Sequence, residues 1–114
     1  MDNKYGITNI PPVAKVVKNE SKYWGDMVTL FDRLDVSVKL IHMNANTQSS
    51  MEYHVHKRES YFILRQGDVY HIEPGLMHMR MALEDTVIIE LSTTDDDSDS
   101  HIVEDGKTYK FVEN

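Results

Sequence analysis

From Asp35 to Leu91 the apolar residues recur at every second position in short runs, and no run holds the three-to-four spacing of a helix. Asp35 to Met43 sets Val36, Val38 and Leu40 on one face and Ser37 and Lys39 on the other, so it reads as a half-buried strand with the apolar face inward. Asn44 to Ser49 is turn chemistry, and Met51 to His56 alternates again. A basic turn at Lys57-Arg58 leads into the β-rich run Tyr61-Phe62-Ile63-Leu64. Gly67-Asp68 opens a strand from Val69 to Ile72, which Pro74-Gly75 closes. Thr86 to Leu91 is the most apolar run and is expected at the centre of a sheet. Ser92 to Ser100 reads as an acidic loop, and Thr108 to Val112 as a last edge strand. Short strands separated by turns predict an all-β barrel or sandwich.

The chain has 114 residues, which suits a single domain spanning 1–114, with residues 1–12 as an extended lead ending at Pro11-Pro12. It has no cysteine, which excludes disulfides, zinc–thiolate sites and a thiol nucleophile. No apolar run is long enough to span a bilayer, and the first residues lack the apolar stretch of a signal peptide. A cytoplasmic protein is the expectation. The net charge of −7 argues against nucleic acid and anionic membranes as partners.

The chemistry concentrates in Ser50–Glu59 and Pro74–His78. On an extended strand Glu52, His54 and His56 share one face, Glu59 follows a turn later, and Pro74-Gly75 presents His78. Nitrogen and oxygen donors of this kind suit a divalent transition metal. His42, His71 and His101 have no such neighbours in sequence. Asp95, Asp97 and Asp99 superficially suggest a calcium loop, but the glycine and glutamate that such a loop requires are missing, with Ser100 and Gly106 at those places. A solvated acidic loop is expected there. Neither a glycine-rich phosphate cradle nor a nucleophile–base arrangement is present in the sequence, and no catalytic residue can be named.

Several of these segments together resemble the cupin superfamily, most closely its mannose-6-phosphate isomerase type, which includes the isomerase domain fused to mannose-1-phosphate guanylyltransferases. Lys22-Tyr23-Trp24-Gly25 and Val38-Lys39-Leu40 are similar to that type's first two elements, and Ser50 to Tyr61 to its His-x-His segment. Gly67 to His78 resembles the second cupin motif, and Ile88-Ile89-Glu90 with the Asp-rich stretch resembles a later one. The likeness runs from about Lys22 to Asp105.

The resemblance implies a small jelly-roll-like cupin barrel. It also implies a divalent ion (Zn, Mn, Fe or Ni) on Glu52, His54, Glu59 and His78, with His56 as rival to Glu52. Lys57, Arg58 and Arg80 would then hold the phosphate of a sugar phosphate in an isomerase-like reaction. Two other readings are a non-haem Fe or Mn dioxygenase and a cupin that binds a sugar without turning it over. The chain departs from the family in two places. The strand hairpin that usually separates the two motifs is missing between Leu64 and Gly67, and His78 is followed by Met79, with arginine only at Arg80. A barrel shortened in this way leaves an exposed strand edge, so a homodimer or strand-exchanged oligomer is expected.

Overall fold

A computed structural model describes residues 17–94 and 96–110. The described residues form ten strands: β1 (Lys18–Lys22), β2 (Gly25–Arg33), β3 (Val36–Met43), β4 (Thr47–Gln48), β5 (Met51–Tyr53), β6 (Glu59–Ile63), β7 (Val69–Ile72), β8 (Met81–Ala82), β9 (Thr86–Ser92) and β10 (His101–Glu104). One 3-10 turn, Asp97–Asp99, is the sole helical element among them. No helix of the described residues is long and apolar enough to cross a membrane.

The larger layer is an antiparallel sheet ordered β1-β2-β3-β9-β6-β7. The apolar β9 lies inside it, between β3 and β6, as its composition predicts. The smaller layer is built on residues 47–53. These pair on one side with β8 through β4, extended by a bridge between Glu52 and His78, and on the other side with β10. Trp24, Ile41, Met43, Tyr61, Ile72, Ala82 and Ile88 form the apolar core. Gly25 lets β2 start tight against β3, because a Cβ there would lie 1.9 Å from the His42 carbonyl oxygen. Trp24 beside it is thereby held in the core.

Four expectations need correction. The burial of β3 is the reverse of its hydropathy: Ser37 and Lys39 are buried with Ile41 and Met43, whereas Val36 is exposed and Val38 and Leu40 are only half-buried. The reason lies opposite, where Glu90 and Ser92 of β9 share the inner face and Glu90 receives Lys39. Alternation also stops short of His56. β5 ends at Tyr53, and His56 is exposed while His54 is buried. Among the described residues the last strand is β10, and Thr108 to Lys110 carry no strand; residues 111–112 of the expected segment lie outside the described set, as does Pro11-Pro12. Finally, Asp99 is buried rather than solvated.

The missing hairpin between the motifs is replaced by a tight turn. Gly67 adopts a φ of 74° and its N–H donates to the Ile63 carbonyl at 2.8 Å, so β6 returns directly as β7. β7 becomes a sheet edge.

Candidate metal centre

The two layers bring donors from four separate backbone positions to one place. Glu52 and His78 face each other across a bridge closed by two backbone hydrogen bonds, Glu52 N–H to His78 O at 2.9 Å and His78 N–H to Glu52 O at 2.8 Å. Glu59 enters from the first position of β6, on the inner face of the large sheet. His54 follows the end of β5 and is fixed from two sides. Its carbonyl accepts the Gly75 N–H at 2.6 Å, so the Pro74-Gly75 turn that delivers His78 is also tied to His54.

Both imidazoles are locked in one tautomer. Nδ1 of His54 lies 3.1 Å from the Asp99 carbonyl oxygen, and Nδ1 of His78 lies 2.8 Å from that of Leu76. A carbonyl only accepts, so each Nδ1 carries the proton and each Nε2 presents a lone pair. Those two Nε2 atoms are buried and have no hydrogen-bond partner. They converge on carboxylate oxygens instead. His54 Nε2 lies 3.7 Å from Glu52 and 3.5 Å from Glu59, and His78 Nε2 lies 3.9 Å and 3.2 Å from the same two residues. Two orphaned lone pairs facing two carboxylates are what a dication requires, and the group Glu52, His54 and His78 could hold one. Glu59 stands within reach of both imidazoles. His56 is exposed and is not part of this cluster.

The surrounding charges are nearly all buried. Lys57 Nζ lies 2.9 Å from Glu59 and 3.4 Å from Glu90, and Lys39 Nζ lies 3.9 Å from Glu90. Burial by itself would raise the Glu59 pKa, but His78, Lys57 and His54 together hold it well below the usual carboxylate range. Burial would lower His78, but the Glu59 carboxylate, the Leu76 carbonyl and Glu52 raise it overall. Tyr61 donates to Glu59 at 2.9 Å and accepts from Arg80 at 3.0 Å. Its burial keeps the phenol protonated far into the alkaline range. The Arg80 guanidinium also lies over the rings of Trp24 and Tyr61, and its Nε is buried without a hydrogen-bond partner.

Of the three cations the resemblance assigns to a phosphate, only Arg80 lines a cavity. That cavity, of about 760 Å³, is walled by Tyr61, Ile63, Tyr70, Ile72, Arg80 and Met81 among others. None of the four donors lines it, and Tyr61, which donates to Glu59, connects it to the cluster. The Lys57 amine is turned inward to Glu59 and Glu90, and Arg58 lies exposed, 3.7 Å from Glu73.

Asp99 was missed as a determinant of the site. Its carboxylate accepts the backbone N–H groups of Val55 at 2.8 Å and of His56 and Lys57 at 3.0 Å each. Those bonds outweigh burial and lower its pKa. They also explain why the strand ends before His56: Asp99 gathers three successive N–H groups that a continuing strand would spend on its neighbours. Aspartates at alternate positions in a loop were the only signal available, and they fit a solvated loop equally well.

No family model and no curated protein sequence matches this chain. Solved structures do. The capsular polysaccharide assembling protein CapF from Staphylococcus aureus superposes with a TM-score of 0.55 at 12% identity, covering 76% of this chain and 34% of that one. This chain thus corresponds to about a third of CapF. KdgF from Halomonas sp. gives 0.50 at 16% identity, covering 64% of this chain and 81% of that one. A protein from Planctomyces limnophilus gives 0.51 at 16% identity, covering 82% and 98%. With its antiparallel layers and these cupin-fold neighbours, the chain has the cupin fold.

Proposed function

We propose that this chain is a metal-dependent small cupin that holds one divalent ion (Zn, Mn, Fe or Ni) on Glu52, His54, Glu59 and His78 and binds a small anionic carbohydrate, in the first instance a sugar phosphate. The observation that carries the metal reading is the pair of buried, unpartnered Nε2 atoms with their tautomers fixed from behind. The anionic ligand follows from charge. Around the cluster Glu52, Glu59, Glu90 and Asp99 oppose Lys39, Lys57 and Arg80, so the set carries one net negative charge before a dication is added and one net positive charge after. A loaded site then carries excess positive charge in a poorly solvated place, which an anion relieves. CapF's description as a capsular polysaccharide assembling protein points toward carbohydrate.

When bound, the ion would supply Lewis-acid polarisation of a ligand oxygen. Arg80 lines the cavity and would place its positive charge beside the ligand's anionic group, while its NH1 is held by Tyr61. Tyr61, kept protonated, fixes the orientation of Glu59 and takes a hydrogen bond from Arg80. An isomerase-like reaction needs a base in addition. At the cavity rim His71, Glu84 and Asp85 have partners outside the cluster, and none of these three bonds to the four donors. That observation favours a second reading, in which the same site binds its ligand without turnover.

Titrating mannose 6-phosphate into ion-free and ion-loaded protein by calorimetry tests the proposal. Binding to the loaded form alone is expected. Equal binding, or none, to both forms would defeat the anionic-carbohydrate reading, and a protein that takes up no ion would defeat the metal reading. Proton exchange at carbon 2, followed by NMR, then separates turnover from binding. Oxygen uptake in its place would reassign the site to dioxygenase chemistry.

A further inference from the structure

The outer face of the large sheet is apolar, and no described element lies across it. The strand registers arrange it in rows. One row runs Val28, Leu40, Ile89, Phe62 and Val69 across five strands. The next runs Phe31, Val38 and Leu91 before ending in Ser60 and His71. Leu91 and Val69 are 52% and 53% exposed, and the other apolar members are half-buried, which is what flat neighbours on one sheet do to each other. No charged residue stands in either row.

We propose that this face packs against the same face of a second copy, as two sheets related by a two-fold axis running across the strands. Such packing is independent of the metal centre. Two features of the face favour this occupant. The first is area. The face spans five strands at about 4.8 Å spacing and narrows from nine residues in β2 to five in β6 and four in β7, so it is a broad patch rather than a strip. A single segment crossing the face would cover one strip of it; a sheet covers it all.

The second is charge. β2 carries Asp26 at one end of this face and Arg33 at the other, with Arg33 lying over Phe31 at 5.2 Å. A two-fold across the strands lays each strand reversed over its own copy. The two apolar rows then meet each other, and Asp26 of each copy meets Arg33 of the other. In a chain of net charge −7, a charge-free centre with two opposite-sign pairs at its ends lets like copies approach.

Sedimentation equilibrium of the full chain gives the first result: twice the 13.2 kDa chain mass at micromolar concentration. Ile89→Lys should raise the dissociation constant about a hundredfold or more by burying a charge at the centre, with the circular dichroism and the metal stoichiometry unchanged. Asp26→Arg and Arg33→Asp should each weaken the dimer about tenfold, and the double swap should restore it to within about threefold. Restoration requires the two residues to face each other across copies, so it holds even if Ile89→Lys misfolds. A monomeric wild type overturns the proposal, and protection of the face in that monomer would give the surface to residues 1–16. A dimer indifferent to Ile89→Lys and to both charge changes overturns it in favour of strand-edge pairing.

Discussion

The two faces of the six-stranded sheet use the same strands for opposite purposes. The inner face buries Ser37, Lys39, Glu59, Glu90 and Ser92, while the outer face leaves Val36, Leu91 and Val69 exposed. Glu90 is 2% exposed and its neighbour Leu91 is 52% exposed. Hydropathy alone would turn over the first half of β3 and the end of β9, while Ile41, Met43 and Ile88 on the same strands agree with the observed side. The inner face is mixed: Ile41, Met43, Tyr61 and Ile88 supply apolar core, and beside them pairs among Lys39, Lys57, Glu59 and Glu90, shielded from water, fix the carboxylate that both imidazoles approach. A buried ion cluster contributes little net stability and is costly to break.

Substitution at adjacent positions tests this most strongly. Glu90→Ala leaves Lys39 and Lys57 buried beside one carboxylate fewer, and should cost about 3 kcal/mol or more in urea unfolding. Leu91→Ser should change the concentration-independent part of the unfolding free energy by no more than about 0.5 kcal/mol. Reversed magnitudes would mean that the sheet is an ordinary core layer. At the centre itself, His54→Ala should lower metal affinity at least about a hundredfold, read by competition with a chromophoric chelator. Ile89→Lys on the outer face should leave that affinity unchanged.

Asp99 gives a third, smaller comparison, between a residue that touches the ion site and one that only shapes it. Asp99→Asn replaces an acceptor oxygen with an amide NH₂ facing backbone N–H groups of residues 55–57. About tenfold weaker metal binding is expected, because the loop that orients His54 loosens while every proposed ligand stays in place. An unchanged affinity would reduce Asp99 to a plain loop cap.

Much of this was legible in the sequence, in an uneven way. Period-two alternation and turn residues mark the strand class, the position of β9 and the limits of β3 and β7 closely, since those depend on local preference. Ser50–Glu59 with Pro74–His78 marks where the donors gather, but alternation sets His56 beside Glu52 and His54, and only the family resemblance singled out Glu52, His54, Glu59 and His78. The structure groups Glu52, His54 and His78, with Glu59 close by. The face that goes inward was not legible. Alternation states that Ser37 and Val36 lie on opposite sides, but it cannot state which side a distant Glu90 makes habitable for Lys39. The end of β5 was hidden for a similar reason: it is set by a carboxylate more than forty residues away. β1 is polar at every position, so it shows no alternation and gave no signal as one arm of a hairpin with β2, although the two form one.

The mildest test uses pH, and it again separates the faces. His78 is raised above its ordinary value, so its protonated form stabilises the ion-free protein below about pH 6.5, and that contribution is lost as pH rises through the folded value above it. Glu59 is depressed, so its contribution is present above about pH 4.3 and is lost only as pH falls through its much lower folded value. Between about pH 6 and about pH 8 the Glu59 contribution is therefore constant while the His78 contribution changes. An ion requires His78 neutral, so over this range the ion-loaded protein gains what the ion-free protein loses. The difference in melting midpoint with and without EDTA should widen by a few degrees from about pH 6 to about pH 8, and it should do so equally in Ile89→Lys. A difference that stays constant with pH would detach His78 from the centre and leave the inner face a structural charge cluster.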